Sequence, residues 1–152
     1  MKKHLVGRSI SLARKLFLKR VPLLPKLLWT FNRIVFACDV SLMADIDRSV
    51  DFYHNALGVV VSRGTVIGAN CSVYQNVTFG GRKHRTRGNG HPIVGKNVVI
   101  YPGAVVLGPI SIGDNSTIGA NAVVIDDVPE GMTVAGIPAR VLVPKSPEGG
   151  GR

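Results

Sequence analysis

No acid precedes Asp39, cysteine and aromatics are scarce, and no long apolar run occurs; each shortage narrows what this chain can be. Its two cysteines, Cys38 and Cys71, have neither CxxC nor metal-ligand spacing, which excludes a disulfide scaffold and a thiolate metal site. No apolar stretch reaches the roughly 20 residues that a membrane-spanning helix needs. The expectation is a soluble, reduced, cytoplasmic protein of one-domain size, without a bound metal. Few large aromatics, Phe17 and Trp29 among them, interleave the basic N-terminal segment, so nucleic acid is not an expected partner.

The formal charge of +10 is local. Nine of the 19 basic residues (Lys2, Lys3, Arg8, Arg14, Lys15, Lys19, Arg20, Lys26 and Arg33) fall before the first acid, Asp39, and the other ten face nine acids. A second basic cluster is Arg82, Lys83, Arg85 and Arg87.

What is present is a repeat. Val94, Ile100, Val106, Ile112, Ile118 and Val124 stand six apart, with Val98, Ala104, Ile110, Ser116, Ala122 and Val128 four positions after each. Val61, Ile67, Val73 and Phe79, with Thr65, Cys71 and Val77, keep the same register, and Val40, Ile46 and Phe52 form a shorter run. A period of six fits neither an amphipathic helix nor one alternating strand. Each hexad is one short strand plus a turn, and three close a triangular coil whose Ile and Val stack on those of the next. The expected fold is all-β, a left-handed parallel β-helix of hexapeptide repeats with a short helical N-terminal segment; an ordinary β-sandwich is the competing arrangement. Gly68, Gly95, Gly113 and Gly119 are expected to permit the corners.

The register breaks twice. Phe79 and Val94 are fifteen apart, so Gly80 to Pro92 is an excursion from the prism; Phe52 and Val61 are nine apart, and that break holds His54. Interruptions of a rigid scaffold are where function concentrates. Ser9 to Arg20 reads as a helix interrupted by Pro22 and Pro25, and Leu27 to Ala37 as a second helical segment. Ala135 to Arg140 reads as a turn, and Ser146 to Arg152 as disordered. The division is a basic helical segment over 1–37, a β-helix over 38–143 and a flexible tail over 144–152. Cys71 is expected in the core, Asp126 and Asp127 in a turn, and His84 exposed; His4 belongs to the N-terminal segment.

Over residues 38–143 the chain resembles the hexapeptide acyltransferases, and within them the serine acetyltransferase group. The likeness rests on three landmarks in order: His54-Asn55-Ala56-Leu57-Gly58-Val59-Val60-Val61; then Val77-Thr78-Phe79-Gly80-Gly81 with His91-Pro92; then Ala135-Gly136-Ile137-Pro138-Ala139-Arg140. The resemblance implies an acetyl-CoA-dependent O-acetyltransferase with His54 as general base, Asp39 as the carboxylate that orients it and His91 as the second histidine of the site. It implies acetyl-CoA binding at Gly80, Gly81, Gly103, Ala120 and Arg140, with Lys96 or Arg140 meeting phosphates, and a homotrimer with active sites between subunits.

Three positions depart from the group's pattern. The acid expected before the catalytic histidine is Tyr53, the acid eight residues after it is Ser62, and the basic residue before the second histidine is Gly90. With these contacts to serine gone, the compact prism with its short basic N-terminus looks more like the acetyltransferases of capsule, exopolysaccharide or lipopolysaccharide assembly, a resemblance that implies a sugar hydroxyl as the acceptor; the alternative is serine O-acetylation for cysteine biosynthesis. A lipid-linked sugar would give residues 1–22 a role as a peripheral contact with the inner membrane, although the same helix can instead pack its apolar face on the prism. A non-catalytic β-helix scaffold and a three-histidine metal hydration enzyme are further alternatives.

Overall fold

The computed structural model describes residues 5–84, 86 and 88–142. The expected tail over 144–152 and His4 lie outside the described residues, as does the side chain of His84.

Each hexad forms a strand of two or three residues, and the strands build a left-handed prism with three parallel faces. The first face carries β1 (Asp39–Val40), β4 (Val60–Val61), β7 (Thr78–Gly80), β12 (Val105–Leu107) and β15 (Val123–Val124). The second carries β2 (Asp45–Ile46), β5 (Val66–Ile67), β10 (Ile93–Val94) and β13 (Ser111–Ile112). The third carries β3 (Asp51–Phe52), β6 (Ser72–Val73), β11 (Val99–Ile100), β14 (Thr117–Ile118) and β16 (Thr133–Ala135); β17 (Arg140–Val141) folds back antiparallel on β16, so residues expected only to turn end in a short hairpin.

The two breaks read from the sequence are insertions between coils. A regular coil is three hexads, which sets Val60 against Thr78 and Val105 against Val123. Asp39 pairs with Val60 rather than with Leu57, three hexads on, because the bulge at His54 lengthens that coil by half a hexad. Val66 pairs with Ile93 rather than with His84, because the excursion lengthens its coil by a hexad and a half. That excursion is itself a hairpin, β8 (Arg82–His84) against β9 (Gly88–Gly90).

Every inner position read from the hexads is buried, from Val40, Ile46 and Phe52 through Phe79 and Ile100 to Val128, and Thr65, Cys71 and Ser116 take inner positions at 0% exposure. The corners work differently from the expectation. Left-handed backbone falls on Asn70, Asn76, Asn97, Asn115 and Asn121, whose short polar side chains tolerate that region. Gly68, Gly95, Gly113 and Gly119 are small because coils meet there: a Cβ on Gly68 would stand 2.5 Å from the Gly95 carbonyl oxygen, and one on Gly113 2.4 Å from the Glu130 nitrogen.

Helix α1 (Leu5–Leu18) begins earlier than the apolar spacing suggests. It buries Val6, Ile10 and Ala13, and Val6 and Ile10 join the core cluster that includes Phe52. Arg14 binds the Ala44 carbonyl and pairs with Asp45. The apolar face thus packs on the prism, the second of the two arrangements open for this segment, and closes the first coil as a terminal cap does in a repeat protein. Helix α2 (Leu24–Val35) buries only Pro25 and Asn32, and leaves Leu24, Leu27, Phe31, Ile34 and Val35 on its outer side. No helix among the described residues is long and apolar enough to cross a membrane.

Candidate active site

His54 lies in a left-handed turn, Tyr53–Ala56, at the corner where the chain passes from the third face to the first. His54, Asn55 and Ala56 all have positive φ, between 51° and 56°. Three consecutive non-glycine residues in that region cost of order 1–3 kcal/mol each, strain concentrated where the histidine is displayed to solvent. The turn is held by the Gly58 N–H donating to the Ala37 carbonyl and the Val59 N–H to that of Ala56.

Beside it stands a tyrosine column that sequence reading missed. Tyr53 stacks on Tyr74 at 4.5 Å and 4°, and Tyr74 on Tyr101 at 5.4 Å and 25°. The His54 ring lies 6.4 Å from that of Tyr74. Such pairs add about 0.5–1.5 kcal/mol each beyond their buried area. The signal was present: each tyrosine follows an inner residue of the third face, and their spacings equal the two enlarged coils.

Asp39 sits on the same prism edge, one coil below. Its backbone registers with Val60, and its carboxylate meets Arg33 at 3.2 Å. Among the described residues no hydrogen bond joins Asp39 to His54.

His91 is placed at the other end of the same strand. β4 starts after the His54 bulge and ends before Ser62, whose Oγ is 2.8 Å from His91 Nδ1 and 3.0 Å from the hydroxyl of buried Thr65. The imidazole is enclosed by two glycines: a Cβ on Gly64 would stand 2.4 Å from His91 Cδ2, and one on Gly81 2.6 Å from Cε1. With Nδ1 held by Ser62, Nε2 is the nitrogen left for a substrate. One protomer therefore presents His54 and His91 on one rung of the first face, at opposite corners.

The remaining residues divide among the corners. Gly80 and Gly81 are beside His91, and a Cβ on Gly80 would meet Leu107 at 2.6 Å. Gly103 and exposed Ala120 follow β11 and β14 on the His54 edge, Gly103 with φ of 73°. Lys96 is at the third corner, its backbone N–H bonded to Asp114 Oδ1 at 2.7 Å. Arg140 lies on β17 at 3.6 Å from Asp126, and the Ser111 N–H donates to Asp127. Among the described residues no three His, Cys, Asp or Glu side chains converge as metal ligands would.

A three-sided prism of hexads, interrupted at two places that each hold a histidine, is the architecture of hexapeptide-repeat transferases; residues 91–126 match the family described as bacterial transferase hexapeptide (six repeats). Within that class the chain is most like the serine acetyltransferase group of the hexapeptide acyltransferases. It is 40% identical over 140 residues to the serine acetyltransferase of Mycobacterium tuberculosis, covering 92% of this chain and 60% of that one. It is 39% identical over 130 residues to that of Synechococcus elongatus, covering 86% and 52%. The solved serine acetyltransferase of Neisseria gonorrhoeae in complex with serine superposes with a TM-score of 0.81 at 33% identity, covering 91% of this chain and 55% of that one. A serine acetyltransferase in complex with CoA gives 0.79 at 34%, covering 90% and 55%. The chain thus spans between half and two thirds of the length of these relatives.

These relatives overturn the expectation of a polysaccharide acceptor. The three departures behind it have local causes in this fold. Ser62 is committed to His91, Gly90 faces Pro109 so closely that a Cβ would stand 2.6 Å from the proline Cβ, and Tyr53 belongs to the aromatic column.

Proposed function

We propose that this protein transfers the acetyl group of acetyl-CoA to the hydroxyl of L-serine. The observation that carries the reading is the 39–40% identity to serine acetyltransferases across nearly the whole chain, with His54 and His91 on one rung. The solved complexes with serine and with CoA support the two substrates by likeness.

His54 removes the proton of the acceptor hydroxyl, the oxygen attacks the thioester carbonyl, and the carbonyl–sulfur bond breaks. The proton leaves with the CoA thiol. General-base help of this kind is worth ~10²–10⁴-fold. Asp39 is the carboxylate on the same edge and would orient His54 on exchanging its Arg33 partner for the imidazole, and His91 Nε2 faces the developing charge. Gly80, Gly81, Gly103 and Ala120 let the pantetheine arm approach the backbone, with Arg140 at the end of its path.

Because the two histidines occupy opposite corners of one face, a complete site is assembled when the His54 corner of one copy meets the His91 corner of the next, around a threefold axis. Exposed Leu57, Val60 and Ile93 lie on the faces flanking those corners and would be covered in such a trimer. Acetyl-CoA as donor makes the cytoplasm the site of action.

The test is thiol release from acetyl-CoA with L-serine, with the product weighed by mass spectrometry. Serine-dependent release and an O-acetylserine mass, both lost in H54A, are expected. Release with saccharides and none with serine would overturn the proposal.

A further inference from the structure

The N-terminal segment holds a surface that acetyl transfer leaves unused. Helix α1 spends its apolar side on the prism, with Val6, Ile10 and Ala13 buried. Helix α2 does not: Leu24, Leu27, Phe31, Ile34 and Val35 stand 45–77% exposed. With about 3.6 residues per turn these five positions share an arc of about 100°, one continuous stripe along a helix of 12 residues. Leu23 extends the stripe at the helix start, 76% exposed on a backbone with φ of 62°. A leucine in that left-handed region is strained, and the strain holds an apolar side chain out into solvent. Exposed Lys26 and Arg33 follow on one border of the stripe, and exposed Lys19 and Arg20 come just before it. Arg33 also lies over the Trp29 ring, 5.3 Å from its centre, so cation and indole share that border. Residues 1–38 hold nine basic side chains and no acid.

We infer that α2 seats this protein on an anionic phospholipid surface: the helix lies in the plane of the interface, with its apolar stripe among the acyl chains and its cations at the headgroup phosphates. Charge selects this occupant over a second copy of the chain. Two copies joined through α2 would press two all-basic segments together, whereas an anionic leaflet supplies the opposite sign. A helix of 12 residues is about 18 Å long, too short for a hydrocarbon core of about 30 Å, so it rests on the surface without spanning it. The contact expected at residues 1–22 therefore moves to residues 23–35, because the apolar side of α1 is already taken. Helix α2 leads into β1, the first strand of the prism, and prisms side by side about a threefold axis would set three stripes at one end, where each strengthens the hold of the others. The inference is independent of which acceptor takes the acetyl group.

The experiment is co-sedimentation of the intact chain with vesicles of phosphatidylcholine alone and of phosphatidylcholine mixed with phosphatidylglycerol. Wild type is expected on the mixed vesicles, far less on the neutral ones, with binding that weakens as salt rises. L27S/I34S should lower the partition coefficient by roughly 10-fold or more. K19Q/R20Q/K26Q should lower it by about fivefold per cation, on the mixed vesicles alone. Both variants change exposed side chains outside the site, so their melting temperatures and L-serine turnover should match wild type. Wild type left in the supernatant with both vesicles, equal binding to both, or full binding by folded L27S/I34S overturns the inference. Light scattering without vesicles reads the other occupant: an assembly that L27S/I34S breaks into smaller species makes the stripe an interface between copies, and likewise overturns it.

Discussion

Gly64→Ala isolates the positioning of His91 from the stability of the prism. Gly64 is exposed in a turn and its φ is not positive, so alanine meets no backbone strain there. The new Cβ would nonetheless stand 2.4 Å from His91 Cδ2 and 2.8 Å from Cγ. Unstrained carbon contacts need ~3.5–4.0 Å, so the ring must retreat by about 1 Å. Gly81 closes the opposite side, and the Ser62–His91 bond, 2.8 Å long, stretches beyond hydrogen-bonding range. A displacement of about 1 Å at a reacting centre costs on the order of 10²-fold in rate. Steady-state CoA release with L-serine should therefore fall by about that factor, with the melting temperature within a few degrees of wild type. Wild-type turnover in a folded Gly64→Ala protein would refute the assignment of His91 to the site.

Ser62→Ala removes the bond to His91 and should lower kcat by about 2- to 10-fold, corresponding to a typical net hydrogen bond, while Ser62→Thr, which keeps the hydroxyl, restores most of it; steady-state kinetics decide. Phe79→Ala empties a fully buried inner position and should cost ~3–5 kcal/mol by urea unfolding. Asn115 holds a left-handed corner, accepts from Asn97 Nδ2 at 3.0 Å and reaches Glu130. Its replacement by alanine should cost about 1–3 kcal/mol and by glycine less, because glycine relieves the positive φ. Burial raises the Cys38 thiol from 9.0 to about 11. The folded protein keeps that proton in a window where the unfolded chain releases it, so this contribution is intact below pH 9 and is lost as pH rises toward about 11. Urea midpoints at pH 7, 9 and 10.5 read the decline, and a rise across that range would show the thiol is not sequestered.

The fold was legible because its information is periodic. A hexad repeats its inner residue whatever the neighbouring coil does, and the lengths of the two interruptions followed from the places where the period slipped. The division of labour at the corners was not legible, since glycine and asparagine both suit turns, and only the backbone angles and coil-to-coil distances show that asparagine turns the chain at five corners while Gly68, Gly95, Gly113 and Gly119 let the coils touch. The site was legible as residue types and not as partnerships. His54 and His91 mark the two breaks, but the bond from Ser62 to His91 joins positions far apart in the chain, and it turned a missing acid into a structural substitute. Reading Tyr53, Ser62 and Gly90 one at a time as lost contacts led toward the wrong acceptor. In the fold they are a stacked ring, a histidine anchor and a close approach to Pro109. The Arg33–Asp39 pair was likewise hidden, because it joins a helix whose orientation on the prism no local pattern fixes.

In the proposed enzyme, acetyl moves to L-serine at a site built from His54 of one copy and His91 of the next. Co-expression of H54A and H91A chains, each inactive alone, tests it directly. Random assembly around a threefold axis gives both wild-type histidines to about a quarter of all sites, so about a quarter of wild-type serine acetylation should return in the co-expressed population, homotrimers included. If each protomer held its own complete pair, no mixture would contain an intact site, and mixed trimers as inactive as their parents would contradict the account.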